Sequence, residues 1–188
     1  MDKLDGLARS ARNGDPDDVE RFARAAYPMV WRLCAALVDR ESADDLTQEA
    51  ILEAVRSLHR YRGEARASTW LLAIARHTCI DELRSMSRRK TGTTVDPATL
   101  ANAASEDPYQ ELVVADLLRH LDPDRRAAFV LTQILGLAYQ EAAEVCGCPT
   151  GTIRSRVARS RRDLIALIAS DESLQCDVGE TPGADASA

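Results

Sequence analysis

The feature that most constrains this chain is a gap in its apolar pattern. From Thr91 to Pro108 the sequence is rich in Thr, Ala, Asp and Pro and offers no helical stripe. Such a stretch cannot bury enough apolar surface to offset the entropy of ordering it. It reads as a flexible linker over residues 91–110. It divides the 188 residues into one unit at 1–90 and another at 111–170. Residues 171–188 have the same character and read as a disordered acidic tail. Charge follows these divisions. The chain carries a formal charge of −6, yet residues 92–110 and 169–188 hold acidic side chains and no Lys or Arg. The acidity therefore lies outside the two units expected to fold.

Within those units the apolar period is helical. Val19, Phe22, Ala23 and Ala26 form one stripe, and Val30, Leu33, Cys34 and Leu37 form another. Pro28 stands between them and predicts a break or kink. Ala43, Leu46, Ala50, Ile51, Ala54 and Leu58 line a third helix, with Ser42 and Asp45 in capping-box register. A long helix is expected over about Ser68–Arg88, with Leu72, Ala75, Cys79, Leu83 and Met86 inward. In the second unit, helices are expected over Glu111–Leu121, from Asp122-Pro123 to Leu135 before Gly136, over Tyr139–Cys146, and over Thr150–Ala169. Ile153, Val157, Leu164 and Ile168 are expected to face inward in the last of these. Aromatic residues are 4% of the chain, with only 9 Gly and 7 Pro, which disfavours a turn-rich β fold. The fold class is all-α, with two small helical domains.

Several functions are excluded. No run approaches the length of apolar sequence that spans a bilayer. Met1–Asp18 is mixed in charge and has no apolar signal core, which makes the cytoplasm the expected location. The five cysteines, Cys34, Cys79, Cys146, Cys148 and Cys176, are odd in number and scattered, which makes no disulfide framework. Cys146 and Cys148 have no partner pair to complete a closed metal site. No nucleophile–base–orienter set and no Gly-rich phosphate loop is readable, so no catalytic residue, metal or cofactor is expected.

Three surfaces remain. Asp44, Asp45, Gln48, Glu49 and Glu53 form an acidic outer face on the third helix. His77, Asp81, Arg84 and Arg88 are spaced to share a face of the long helix, with Trp70 near its start and Arg60, Tyr61 and Arg62 in the loop before it. Read by residue type alone, this is either a core Trp with solvated charges or an open groove that holds a strand and stacks its bases. Short helix, Gly turn and longer helix over 139–169 is the helix-turn-helix pattern. Such a motif places the first turns of its second helix in the major groove, and here they carry Arg154, Ser155, Arg156 and Arg159. An operator-binding regulator would explain this last motif but not the first two.

The motifs taken in order are distinctive. They are Ala43-Asp44-Asp45-Leu46-Thr47-Gln48-Glu49, Thr69-Trp70-Leu71-Leu72-Ala73-Ile74-Ala75-Arg76-His77 with Asp81 and Arg84, Gly136-Leu137-Ala138-Tyr139-Gln140-Glu141-Ala142-Ala143, and Pro149-Thr150-Gly151-Thr152-Ile153-Arg154-Ser155-Arg156 with Arg159. Together they resemble the extracytoplasmic-function (ECF) sigma factors of bacterial RNA polymerase, over about residues 15–168. The resemblance implies two domains, region 2 and region 4. It implies core RNA polymerase (its β′ clamp and β flap) and promoter DNA as partners. Asp45, Leu46, Gln48 and Glu49 match the β′-clamp contact. Arg60, Tyr61, Arg62, Trp70, Arg76, His77, Asp81, Arg84 and Arg88 match the region that reads and melts the −10 element. Thr152, Arg154, Ser155, Arg156 and Arg159 match the −35 recognition helix. His77 stands where many members carry Asn, and Ala158 is smaller than is common there. The family also allows an anti-sigma factor as a partner, which no residue here specifies.

Overall fold

The computed structural model describes residues 3–90 and 117–176. The expected linker, most of the expected helix at 111–121 and the end of the expected tail lie outside the described residues. All regular structure among the described residues is helical. We number the helices α1 (Lys3–Ala11), α2 (Pro16–Leu37), α3 (Ala43–Ser57), α4 (Ala67–Lys90), α5 (Pro123–Phe129), α6 (Tyr139–Cys146) and α7 (Thr150–Cys176). A short 3₁₀ turn, Leu58–Arg60, follows α3, and residues 117–119 form a helical turn before α5.

The first unit is a bundle in which α2, α3 and α4 pack against one another and α1 lies across α2 and α4. Pro28 does not break the chain: α2 runs through it. Proline leaves the carbonyl four residues earlier without a donor. Here both Pro28 and Arg24 lie on the exposed side of the helix. Meanwhile Phe22, Ala26, Val30, Leu33, Cys34 and Leu37 make one uninterrupted buried stripe. The expected capping box of α3 is absent. Ser42 has helical backbone angles and no side-chain cap bond, and its amide donates to Asp39 Oδ1 at 2.7 Å.

Helix α1 was not foreseen, and it holds α4 in place. Buried Asp5 reaches across 62 residues to accept from the amide of Ala67, the first residue of α4, at 2.7 Å. It thus satisfies one of the orphan donors at that helix start and places a negative charge at the positive end of the dipole.

In the second unit Asp122 caps α5, accepting from the amides of Asp124 and Arg125 at 3.1 and 3.4 Å, with Pro123 at the first helical position. The helix then widens into one π turn, Val130–Ile134, where the Leu135 amide donates to Val130 O at 2.9 Å. Gly136 follows at φ +72°, which a side chain would strain. Gly147 at φ +61° closes α6 and opens the turn into α7. The inward stripe of α7 is Ile153, Val157, Ser160 and, partly, Leu164; Ile168 is 45% exposed, against expectation. Ser160 takes the buried slot because its hydroxyl is satisfied by Arg156 O at 2.9 Å and Arg125 O at 3.3 Å. The helix also continues past Ala169 to Cys176, into the segment expected to be disordered. No Gly or Pro interrupts the backbone ladder there before Gly179.

The two units pack together, α4 against α6 and α2 against α5. Their buried apolar residues form one contiguous cluster. We expect Asp5→Ala to lower unfolding free energy by about 1–2 kcal/mol, read as a shifted urea midpoint, and Asp5→Asn to recover most of that loss, because Asn can still accept from the amide.

Candidate polymerase and DNA interfaces

The acidic face is built by α3. Its buried edge is Ala43, Leu46, Thr47, Ala50, Ile51 and Ala54, which turns Asp44, Asp45, Gln48, Glu49 and Glu53 outward. Leu46 itself is buried and supports this face from beneath. Tyr27 of α2 donates its hydroxyl to Asp44 Oδ1 at 2.5 Å, which ties one end of the acidic row to the bundle. Beside it lies an apolar recess lined by Ala23, Tyr27, Pro28, Ile51 and the 55%-exposed Leu52. The surface thus offers a carboxylate row with an apolar strip next to it.

The second surface spans α4 and the loop before it. Arg60 and Arg62 are exposed. Tyr61 is placed otherwise than expected for a base-stacking ring. It is 4% exposed, its hydroxyl donates to Ala65 O at 2.9 Å, and its ring sits 5.0 Å from that of Trp70. In this position Tyr61 shapes the loop from inside, and half-buried Trp70 is the ring nearer the surface. His77, Asp81, Arg84 and Arg88 line the exposed side of α4 as their spacing predicts. Asp81 sits between two of them, 3.4 Å from His77 Nε2 and 3.2 Å from Arg84. Arg76 turns away from this row. It is mostly buried and pairs with Asp124 of α5 at 2.9 Å.

The third surface is the start of α7. Arg154 and Arg159 are exposed, Ser155 is exposed with its hydroxyl on Thr152 O, and Thr152 is half-buried. Arg156 is drawn inward, donating to Asp124 Oδ2 at 2.6 Å and to Cys148 Sγ at 3.8 Å. Further along, Arg161 donates to Gln133 and Arg125 pairs with Asp163, bracing α7 on the π turn and on α5. Burial pushes the Cys146 thiol up to about 11. Cys34 and Cys79 touch, sulfur to sulfur, at 3.6 Å inside the first unit. Among the described residues no cluster of three or more His, Cys, Asp or Glu is arranged to hold a metal ion. Nor is any helix there long and apolar enough to cross a membrane.

Two residues escaped sequence reasoning. Asp124 looks like an ordinary first-turn acid of a helix, and only the fold brings Arg76 and Arg156 to it. Arg126 is buried and gives its guanidinium to Leu37 O at 2.7 Å, Arg119 O at 2.8 Å and Leu121 O at 3.2 Å. It thereby places a cation at the C-terminal end of α2 from the other unit.

Comparison with known proteins matches this geometry. Residues 22–89 match the family described as Sigma-70 region 2, and residues 111–164 match Sigma-70, region 4. The chain is 45% identical over 169 residues to the ECF RNA polymerase sigma factor SigC of Mycobacterium tuberculosis, covering 88% of this chain and 91% of that protein. It is 34% identical to the ECF RNA polymerase sigma-E factor of Escherichia coli, covering 82% and 88%. Among solved structures, the sigma factor RpoE of Bartonella quintana, in complex with the anti-sigma factor NepR, aligns at a TM-score of 0.70 with 26% identity, over 82% of this chain and 98% of that one. CnrH, in complex with the cytosolic domain of CnrY, aligns at 0.70 with 22% identity, over 90% and 99%, and supports the fold.

The chain belongs to the ECF sigma factors. It is an alternative sigma factor, a non-catalytic subunit that binds core RNA polymerase and promoter DNA and directs promoter-specific transcription.

The Tyr27 contact makes a pH prediction. Its hydrogen bond to Asp44, with some burial, pushes the phenol up to about 12. A raised folded-state value means that this contribution is intact below about pH 10, the ordinary tyrosine value, and is lost as pH rises through about 12. Wild type should therefore lose stability relative to Tyr27→Phe across that window in urea titrations.

Proposed function

We propose a division of labour among the three surfaces. Residues 1–90 form region 2, residues 111–170 form region 4, and 91–110 join them. Asp45, Gln48 and Glu49 dock on the β′ clamp, with Leu46 fixing their helix and the neighbouring apolar strip adding buried area. Region 4 docks on the β flap. Thr152, Arg154, Ser155, Arg156 and Arg159 read the −35 duplex. Phosphate contacts set register there and base contacts give specificity. Arg60, Arg62, Trp70, Arg76, His77, Asp81, Arg84 and Arg88 take the −10 strand as it opens, and Tyr61 supports their loop. Unstacking a base costs a few kcal/mol, and stacking on a ring returns about 1–3 kcal/mol. Trp70 and exposed His77 are the rings available for this. The site of action is the cytoplasm, where RNA polymerase works. The complex of RpoE with the anti-sigma factor NepR supports an anti-sigma protein as a regulator of this chain too.

The observation that carries this reading is the separation of signs. An exposed carboxylate row on α3 stands apart from the arginine-bearing faces of α4 and α7. One protein can then hold an enzyme by one face and DNA by the others.

Reconstituted transcription tests it. Purified chain is mixed with core RNA polymerase and fragmented genomic DNA, and transcript 5′ ends are mapped. Discrete starts sharing two upstream elements are expected. Arg154→Ala should weaken use of the upstream element by about 10- to 100-fold, the range of a lost bidentate base contact. His77→Ala should relax the downstream element, and Asp45→Arg with Glu49→Arg should abolish core binding while leaving the fold intact. Core-independent DNA binding with no new starts would overturn the reading.

A further inference from the structure

The helix that carries the −10 surface begins without a cap of its own. The Trp70 amide donates to Arg66 O at 3.0 Å, which puts Arg66 at the N-cap of α4. A guanidinium has no acceptor to offer the free amides of a first turn, where Ser, Thr, Asp or Asn usually stands. The acceptor comes instead from α1, where Asp5 Oδ1 takes the Ala67 amide at 2.7 Å. Helix α1 is nine residues long, too short to be stable alone, and Leu4, Ala8 and Ala11 seat it on the bundle. It ends before residue 22, where the match to region 2 begins.

The same helix reaches the loop ahead of α4. Tyr61 and Ala67 are buried, while Arg62, Gly63, Glu64 and Arg66 between them are exposed. The stretch is a tongue held at its two ends. At one end Asp5 holds Ala67. At the other, burial and then the charge of Asp5 push the Tyr61 phenol above its ordinary value, against the pull of Arg9. Both side chains of α1 therefore lie close to that ring. Between the ends Gly63 turns at φ +75°, and a Cβ there would stand 3.9 Å from Arg9 Nε. The Tyr61 hydroxyl closes the tongue on Ala65 O at 2.9 Å, and its ring lies 5.0 Å from that of Trp70. Arg62 on the tongue and Trp70 in the first turn of α4 thus take their positions from Asp5, which is itself buried.

Resting on the assignment of the −10 surface above, we propose that α1 is a positioning element for promoter reading, in which Asp5 fixes the tongue and the start of α4 in the shape that receives the −10 strand. A loop already held in its bound shape keeps the cost of ordering out of the binding step. A slack tongue would lose most where the fit is best. The cognate −10 element should therefore suffer more than a substituted one, and discrimination should fall along with yield.

The test uses the full chain with core RNA polymerase. Its templates are a promoter taken from the mapped starts and the same promoter with its −10 element replaced. The readout is the ratio of the two transcript yields, which a smaller fraction of active protein does not move. Asp5→Ala should cut that ratio about 10-fold, the effect of a few side chains that must be ordered anew on binding. Asp5→Asn, which still accepts from Ala67, should stay within about twofold of wild type. Val30→Ala, a truncation of a fully buried side chain in α2, should lower stability and leave the ratio alone. Leu4→Ala loosens the seat of α1 with Asp5 still present and should lower the ratio too. If Asp5→Ala does not fold, Leu4→Ala carries the test. Hydrogen exchange should show the amides of residues 62–70 opening in Asp5→Ala ahead of those in α3. An unchanged ratio in Asp5→Ala, or in Leu4→Ala where only that variant folds, would overturn the proposal. So would an equal fall in Val30→Ala, which marks a general loosening. A wild type indifferent to its −10 element would instead sink the surface assignment, and the positioning role with it.

Discussion

The bundle depends on small side chains buried between its helices. Ala26 of α2, Ala43, Ala50 and Ala54 of α3, and Ala67 and Ala75 of α4 are all fully buried. A methyl group at the crossing lets helix axes approach at the close end of the usual range. The rest of the architecture follows. Alanine rather than aromatic residues supplies much of the buried surface, in keeping with an aromatic content of 4%. Larger side chains, Phe22, Leu33, Leu71 and Leu72, fill the space left between the crossings. Enlarging any of these alanines would force the helices apart, because a close-packed interior cannot absorb added volume.

Buried Asp5 and Arg126 aside, most charged residues lie on the surface, and the fold sorts them. The carboxylates of α3 collect on one face, while the arginines of α4 and α7 collect on others. This sorting explains how a chain of net charge −6 can serve a DNA-directed enzyme. Attraction to phosphate is local, confined to a few arginines, and at Arg76 and Arg156 it is balanced by Asp124. A chain of this balance would gain little by wandering along DNA alone.

Helix type and most of the buried faces were legible because they depend on local period. The stripes of α3 and α4, the Asp122-Pro123 start of α5 and the Gly147 turn all follow from neighbours in sequence. What escaped depends on residues distant in sequence. Asp5 caps a helix that begins 62 residues later, and nothing near it marks that role. Asp124 and Arg126 look like surface charges until the units close. Pro28 predicts a break by its type, whereas α2 runs through it because the buried stripe continues on the opposite side. Ser160 carries no sequence mark of burial, because only the fold brings Arg125 O beside a hydroxyl already bonded to Arg156 O. Tyr61 was read by type, as an aromatic in a basic loop, whereas its burial is decided by the ring of Trp70 beside it.

Helix α7 has a mechanical consequence. It is 27 residues long, so at 1.5 Å per residue it extends about 40 Å. Its packed residues, Ile153, Val157, Ser160 and Leu164, lie in the first 15. The remainder, about 18 Å, continues beyond that anchor. It is a lever whose fulcrum lies near its N-terminal end. A tilt of about 10° about that anchor would carry the far end of the helix sideways by several ångströms, and the exposed Ile165 and Ile168 nearer the anchor by less. Small angular adjustments made at one end thus become displacements at the other.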